Sequence, residues 1–101
     1  MGYRNDVYLV IYQDDEQDFC HDCDRKFFYN RERLPDGRVL FSRLDTKASI
    51  GDCKGLEAWC EDHAYQVAMR GERCGDVWER TEGGIKPHFR IEMTLTLEYC
   101  E

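Results

Sequence analysis

The stretch that decides the fold is "DVYLVIYQ" (residues 6–13), in which β-branched and aromatic side chains occupy both sets of alternating positions. Successive side chains of a strand point to opposite faces of a sheet, so a strand that is apolar on both sides is covered on both sides. Valine, isoleucine and tyrosine also favour the extended backbone. The stretch therefore predicts a central strand.

Downstream of this strand, the sequence has the pattern of an amphipathic helix that continues to Arg33. The carboxylates of "QDDEQD" (13–18) precede the apolar positions, as the N-terminal end of a helix dipole prefers. "LPDGR" (34–38) is then typical of a turn, and "RVLFSRL" (38–44) of a short strand. The apolar positions at helical spacing are Phe19, Cys20, Cys23, Phe27 and Leu34.

A second helix is predicted by "SIGDCKGLEAWCEDHA" (49–64), with Asp52 as its N-cap. Alternation after this helix predicts a strand at 66–71. The polar, glycine-rich segment 71–87 predicts a loop with a short strand or turn at Val77 and Trp78. The apolar stripe of the second helix comprises Leu56, Trp59, Cys60, His63 and Ala64.

The segment "HFRIEMTLTLEY" (88–99) alternates between apolar and polar residues along its whole length. This period of two predicts one strand with a single buried face, paired antiparallel to a neighbour. If this strand lies at a sheet edge, it could also pair with the same strand of a second copy, so the sequence leaves a homodimer as an alternative. The whole chain (1–101) is predicted to be one α+β domain of order β-α-β-α-β-β, a two-layer fold with two helices on one face of a mostly antiparallel sheet.

The net charge of −7 argues against binding to nucleic acid or to an anionic membrane, since both need a basic surface. The first apolar run, "VYLVIY", is too short for a signal sequence or a membrane span. Without a secretory signal, the six cysteines are interpreted as reduced thiols in a cytosol.

The charge is unevenly distributed along the chain. Six acidic residues and no basic ones lie in residues 13–24, whereas residues 25–43 hold six basic and two acidic residues. An acidic face follows, which is either an ordinary solvated surface or a docking face for a basic protein. The residues predicted to bind such a partner are Asp14, Asp15, Glu16, Asp18, Glu57, Glu61 and Asp62.

The opening "MGYRNDV" resembles the start of a group of small bacteriophage proteins that begin with Gly-Tyr-Arg-Ser-Asp-Val, with Asn5 here in place of the serine. A looser likeness lies in "MRGERCGDVWERTEGG" (69–84). The resemblance implies a phage or prophage origin and a bacterial host cytosol, and it supplies no catalytic residues. Small acidic phage proteins often bind and disable host machinery. By this analogy the chain is expected to be a non-enzymatic, anti-CRISPR-like inhibitor of a nucleic-acid-binding defence complex.

The motif "FCHDC" (19–23) carries the alternative interpretation, because Cys20 and Cys23 can join Cys60 and His63 of "CEDH" (60–63). Three thiolates and an imidazole form a suitable tetrahedral shell for zinc, which would staple the two helices together. The competing interpretations are that all four side chains simply fill the core, or that the two thiols of the motif form a redox pair. Zinc is the only cofactor that the sequence suggests.

Two further sites are weaker hypotheses. Cys53 falls in the first turn of the second predicted helix, where the dipole would lower the thiol pKa and make it reactive. Cys60 and His63, one helical turn apart, could form a nucleophile and base pair. The aromatic and basic residues of 25–33 could stack on single-stranded nucleic acid, although the overall charge favours an ordinary solvated face.

Overall fold

A computed structural model describes residues 4–72, 75–91 and 96–100. Its centre is a five-stranded sheet of order β2-β3-β1-β4-β5, in which every neighbouring pair is antiparallel. The predicted central strand is confirmed, since β1 pairs with β3 on one side and β4 on the other. The strands are β1 (Asn5–Tyr12), β2 (Asn30–Arg33), β3 (Arg38–Thr46), β4 (Tyr65–Gly71) and β5 (Val77–Glu82).

Two short helices, α1 (Glu16–Asp22) and α2 (Leu56–Glu61), cover one face of this sheet, and we call them with their flanking turns the helical layer. Phe19 is fully buried at the centre of this face. Its ring centroid lies 4.9 Å from that of Phe41 on β3 and 5.6 Å from that of Trp59 on α2. The three 3-10 turns of this layer are Gln13–Asp15, Arg25–Phe27 and Ile50–Asp52.

The opposite face is covered by a ribbon of two antiparallel strands, β6 (Phe89–Ile91) and β7 (Leu97–Tyr99). We call this pair the ribbon. Ile85, Phe89 and Leu97 pack against the apolar side chains that β1, β3 and β4 point to this side. The molecule therefore has three layers, and β1 is covered on both faces, as its composition predicts.

The α+β class and the mostly antiparallel sheet are confirmed, whereas the predicted order β-α-β-α-β-β and the two-layer arrangement are wrong. The described chain contains β2, which the prediction lacks, and it forms the full strand β5 where only a short strand or turn was predicted at Val77 and Trp78. It also divides the segment 88–99 between β6 and β7. Residues 92–95 of that segment lie outside the described residues. The strands predicted at 38–44 and 66–71 are confirmed as β3 and β4.

The first helix is shorter than predicted, because it ends at Asp22 and not near Arg33. Phe27 and Phe28 still enter the core, but they do so from a 3-10 turn and the extended residue after it. Residues 30–33 then form β2, which gains backbone hydrogen bonds from β3 that a longer helix would forgo.

The second helix begins at Leu56, so the prediction of Asp52 as its N-cap is wrong. Asp52 instead closes a capping box with Ser49 at the preceding 3-10 turn. Gly55 starts α2 with φ +84°, and a Cβ there would lie 2.4 Å from the carbonyl oxygen of Asp22. Glycine at this position therefore lets the start of α2 approach the end of α1.

None of the helices in the described ranges is both long and apolar enough to cross a membrane.

Candidate functional site

Most of the carboxylates predicted to bind a partner lie together on the helical layer. Helices α1 and α2 pack against each other. Their polar sides face solvent, and no basic residue occurs between Gln13 and Asp24 or between Gly55 and Asp62. The carboxylates are exposed, or half-buried in the case of Asp15. We call the following six residues the acidic surface: Asp14, Asp15, Asp18, Glu57, Glu61 and Asp62.

Glu16 is the exception, and its assignment to the partner-binding set needs correction. It is 8% exposed, and its carboxylate accepts a 2.6 Å hydrogen bond from Arg31 and lies 3.7 Å from Arg33. Both arginines belong to β2, whose side chains at these positions point to the helical layer. Glu16 therefore fixes α1 to the edge of the sheet and is not available to a partner.

Two further arginines of the basic segment 25–43, Arg38 and Arg43, also form contacts within the chain. Arg38 is buried, pairs with Asp36 at 2.7 Å and donates to the carbonyl oxygen of Lys86. Arg43 lies over the rings of Phe27 and Tyr29, 4.8 and 4.5 Å from their centroids. Four of the six basic residues of the segment are therefore engaged within the fold, whereas Arg25 and Lys26 are exposed.

The carboxylates of the acidic surface have no comparable partners. Within residues 4–72, 75–91 and 96–100, four of them form neither an ion pair nor a hydrogen bond: Asp14, Glu57, Glu61 and Asp62.

The predicted zinc ligands Cys20, Cys23, Cys60 and His63 are all described, and the structure does not assemble them. No three of their donor atoms lie within 4.8 Å of one another. Cys23 is buried in the core of the helical face, and Cys20 and Cys60 pack against that core. Elemental analysis of the purified protein tests the zinc prediction, which about one zinc per chain would support.

His63 is oriented by α2 and not by the thiols. Its ring stacks on Trp59 with 4.0 Å between centroids, and Nδ1 lies 2.8 Å from the carbonyl oxygen of Trp59. A carbonyl oxygen can only accept, so Nδ1 carries the proton and donates it. Nε2 then faces Asp18, 3.8 Å away.

Asp15, Asp18 and His63 form the one group of metal-ligand types that the described chain brings within 4.8 Å of one another. This group was not predicted from the sequence, because Asp15 precedes α1 and Asp18 lies within it, whereas His63 follows α2 and is brought near only by the tertiary structure. Asp18 is exposed, and its contact with His63 is that of an ordinary surface pair.

The thiols of Cys23, Cys53 and Cys60 are poor nucleophiles. Burial raises the pKa of Cys23 to about 11, and the nearby carboxylate of Asp22 acts in the same direction. Burial, followed by the thiol of Cys23, raises the pKa values of Cys53 and Cys60 to about 12. The prediction of a reactive Cys53 is therefore wrong. Cys53 precedes α2, is 3% exposed, and its thiol donates to the carbonyl oxygen of Asp24, so the helix dipole gives it no thiolate character.

An open groove of about 1260 Å³ runs between α2 and β5, next to the acidic surface. Glu57 and Glu61 line its helix side, and Tyr65 and Val67 of β4 belong to its lining. The groove was not predicted from the sequence, because only a short strand or turn at Val77 and Trp78 was expected within the loop 71–87. The alternation within "VWERTE" (77–82) was the available signal, and three of its residues line the strand side of the groove: Trp78, Arg80 and Glu82.

Comparison of the chain with models of protein families, with curated proteins and with solved structures finds no match.

Proposed function

We propose that this chain is a non-enzymatic binding protein whose acidic surface docks on a basic surface of another protein. The proposal rests on a difference between basic and acidic side chains: four arginines of residues 25–43 form contacts within the chain, whereas the carboxylates of the acidic surface remain open to solvent. Arg31, Arg33, Arg38 and Arg43 are held in internal contacts. The unpaired carboxylates of the acidic surface stay exposed on one layer of the molecule.

Such a surface acts through attraction at a distance and through ion pairs on contact. Exposed charges interact over about 10 Å at 0.1 M salt, so a basic partner is steered before it touches the protein. The net charge of −7 repels nucleic acid itself and favours proteins that bind it.

The preferred target class is the nucleic-acid-binding groove of a host defence complex, because carboxylates can replace phosphates there. Because residues 2–7 resemble the start of small phage proteins, we place the target complex in a bacterial host. In this proposal the chain is an anti-CRISPR-like inhibitor that acts in the host cytosol.

The state of the thiols supports a binding role over a thiol-dependent enzyme. Nucleophilic catalysis needs a thiolate or a base that takes the thiol proton. Burial raises the pKa of Cys60 to about 12, which keeps the thiol protonated at neutral pH. The Nδ1 proton of His63 is donated to the carbonyl oxygen of Trp59, and the free ring nitrogen Nε2 faces the exposed carboxylate of Asp18 at 3.8 Å.

The test is capture of partners from a bacterial lysate at low and high salt, with two matched variants. Glu57→Lys with Glu61→Lys reverses two carboxylates of the acidic surface. Glu32→Lys with Glu98→Lys makes the same change in net charge at exposed positions on β2 and β7. We expect the first variant and high salt to abolish capture, and the second variant to retain it.

Capture that is insensitive to salt, or equal loss in both variants, would contradict the proposal. Equal loss would show that total charge matters and that the position of the carboxylates does not.

A further inference from the structure

The two edges of the sheet differ in how well they are protected. Strand β2 has four residues, and two of its three charged side chains, Arg31 and Arg33, are drawn to Glu16. Strand β5 has six residues, and Trp78 near its start is 45% exposed. In the described chain, β5 has hydrogen-bonded backbone neighbours only in β4. Its outward N–H and C=O groups are therefore a template on which another strand can pair.

The groove gives this free edge a preference for charge. Side chains on one face of β5 alternate into the groove. The groove is lined by four carboxylates and two cationic side chains, so its potential is negative. The carboxylates are Glu57, Glu61, Asp62 and Glu82, and the cations are Lys54 and Arg80.

The exposed indole of Trp78 adds an apolar and cation-binding surface at the same place. A lysine or arginine beside β5 can lie over this ring while its charge faces the carboxylates of α2. An aliphatic residue at the neighbouring position can instead cover the ring. Both contacts require a bound segment whose successive side chains point to opposite faces, as they do in a strand.

We propose that β5 binds an extended basic segment of the partner protein as a sixth strand, with lysine or arginine at every second position facing the groove. This inference rests on the proposed function and names how the same partner is held. Backbone hydrogen bonds to β5 would supply affinity, and the alternating basic side chains would supply specificity. A second copy of this chain is disfavoured as the occupant, because it would bring another net charge of −7 to an acidic groove.

The experiment uses four capped synthetic peptides on the unmodified protein. The probe alternates lysine with valine over seven residues. Two controls carry N-methyl groups on alternate residues, one in each register, which preserves every charge and removes the strand hydrogen bonds on one side. The fourth peptide replaces lysine with glutamate. Binding is followed by titration calorimetry and by the emission of Trp78, with Trp78→Phe to assign that signal.

We expect the lysine peptide to bind at least about tenfold more tightly than one N-methylated peptide, a difference of about 1.4 kcal/mol, and the glutamate peptide to bind weakest. Equal affinity of the lysine peptide and both N-methylated peptides would overturn the inference. So would failure of the lysine peptide to bind at about 1 mM. Self-association of the protein through β5 would make a second copy the occupant and would overturn it too.

The outcomes also separate this inference from the proposed function. If charge reversal at Glu57 and Glu61 abolishes capture from the lysate while N-methylation changes nothing, the acidic surface stands and the added strand does not. If N-methylation weakens the peptide while capture from the lysate is independent of salt, the edge binds strands and the proposed electrostatic docking is wrong.

Discussion

The two faces of the central sheet are stabilised in different ways. In the described chain, the helical face buries fourteen apolar residues, including Phe19 at its centre, and the ribbon face buries seven. The ribbon face depends in addition on one fully buried amide, Gln66 of β4. Its side chain accepts hydrogen bonds from the amides of His88 and Phe89 at 2.7 and 3.0 Å, and it donates to the Phe89 carbonyl oxygen and to Glu79.

This difference shows that apolar packing holds the helical layer on the sheet, whereas directed hydrogen bonds hold the ribbon there. The helices contribute long aromatic side chains, and their packing on β1 fixes their positions. The ribbon strands have three residues each and bury little, so a set of directed hydrogen bonds fixes their position. Substitutions on the two faces should therefore differ in size and in how far their effects spread.

The largest effect is expected for Phe19→Ala on the helical face. The change removes a ring that contacts three aromatic neighbours and leaves a cavity in the larger cluster. We expect a loss of about 3–5 kcal/mol in the free energy of unfolding, measured with urea. Phe89→Ala on the ribbon face is the matched change and should cost less. Equal losses would show that the two faces contribute alike.

Gln66→Met should have a smaller but more local effect. The substitution keeps the volume but leaves the amides of His88 and Phe89 without their acceptor. It also removes the donor that serves the Phe89 carbonyl oxygen and the Glu79 carboxylate. Leaving such groups unsatisfied costs about 1–3 kcal/mol each, reduced where water can reach them. Hydrogen exchange should accelerate at Phe89 while β1 keeps its protection. A uniform acceleration over both faces would contradict a local role for the amide.

A third comparison lies within the helical layer, between Glu16 and Glu61. Glu16→Gln weakens the contact with Arg31, and because Arg31 is itself half-exposed we expect a cost of only about 1 kcal/mol. Glu61→Gln removes an unpaired, exposed carboxylate and should change stability by less than about 0.5 kcal/mol. Urea unfolding of both variants measures the difference. The reverse order of the two losses would be incompatible with the assigned roles.

The smallest effect is expected from protonation of His88 on the ribbon face. Burial, and then the nearby Arg38, lower the pKa of His88, while Glu32 and Asp36 act in the opposite direction. Between about pH 7 and pH 5 the unfolded chain therefore takes up this proton more readily than the folded one. This histidine thus makes the protein less stable as the pH falls.

Replacement of His88 by phenylalanine should reduce that loss of stability on acidification, as measured by urea unfolding at both pH values. His21→Gln is the control of opposite sign. A hydrogen bond to Asp22 raises the pKa of His21, so its contribution to stability is present at low pH and is lost as the pH rises. An unchanged pH dependence in the His88 variant would show that protonation of His88 does not contribute to the loss of stability at low pH.

The sequence predicts the helical face better than the ribbon face, for a physical reason. Apolar residues at helical spacing identify which side chains enter a core, and Phe19, Phe27 and Trp59 do so. The same spacing did not show that the helix ends at Asp22, because competition from β3 for residues 30–33 is a tertiary effect. Alternation in the segment 88–99 identified Phe89 and Leu97 as buried, but it gave no sign that they belong to two strands.

What the sequence by itself determined is the position of β1 at the centre, the α+β class and the excess of negative charge. Each follows from residue type and from the spacing of neighbours along the chain. Only the tertiary structure decided which carboxylates are free. Glu16 and Glu57 have the same side chain and each lies in the first turn of a short helix. Glu16 is paired because β2 brings Arg31 to it from fifteen residues away, whereas Glu57 forms no ion pair within the described residues.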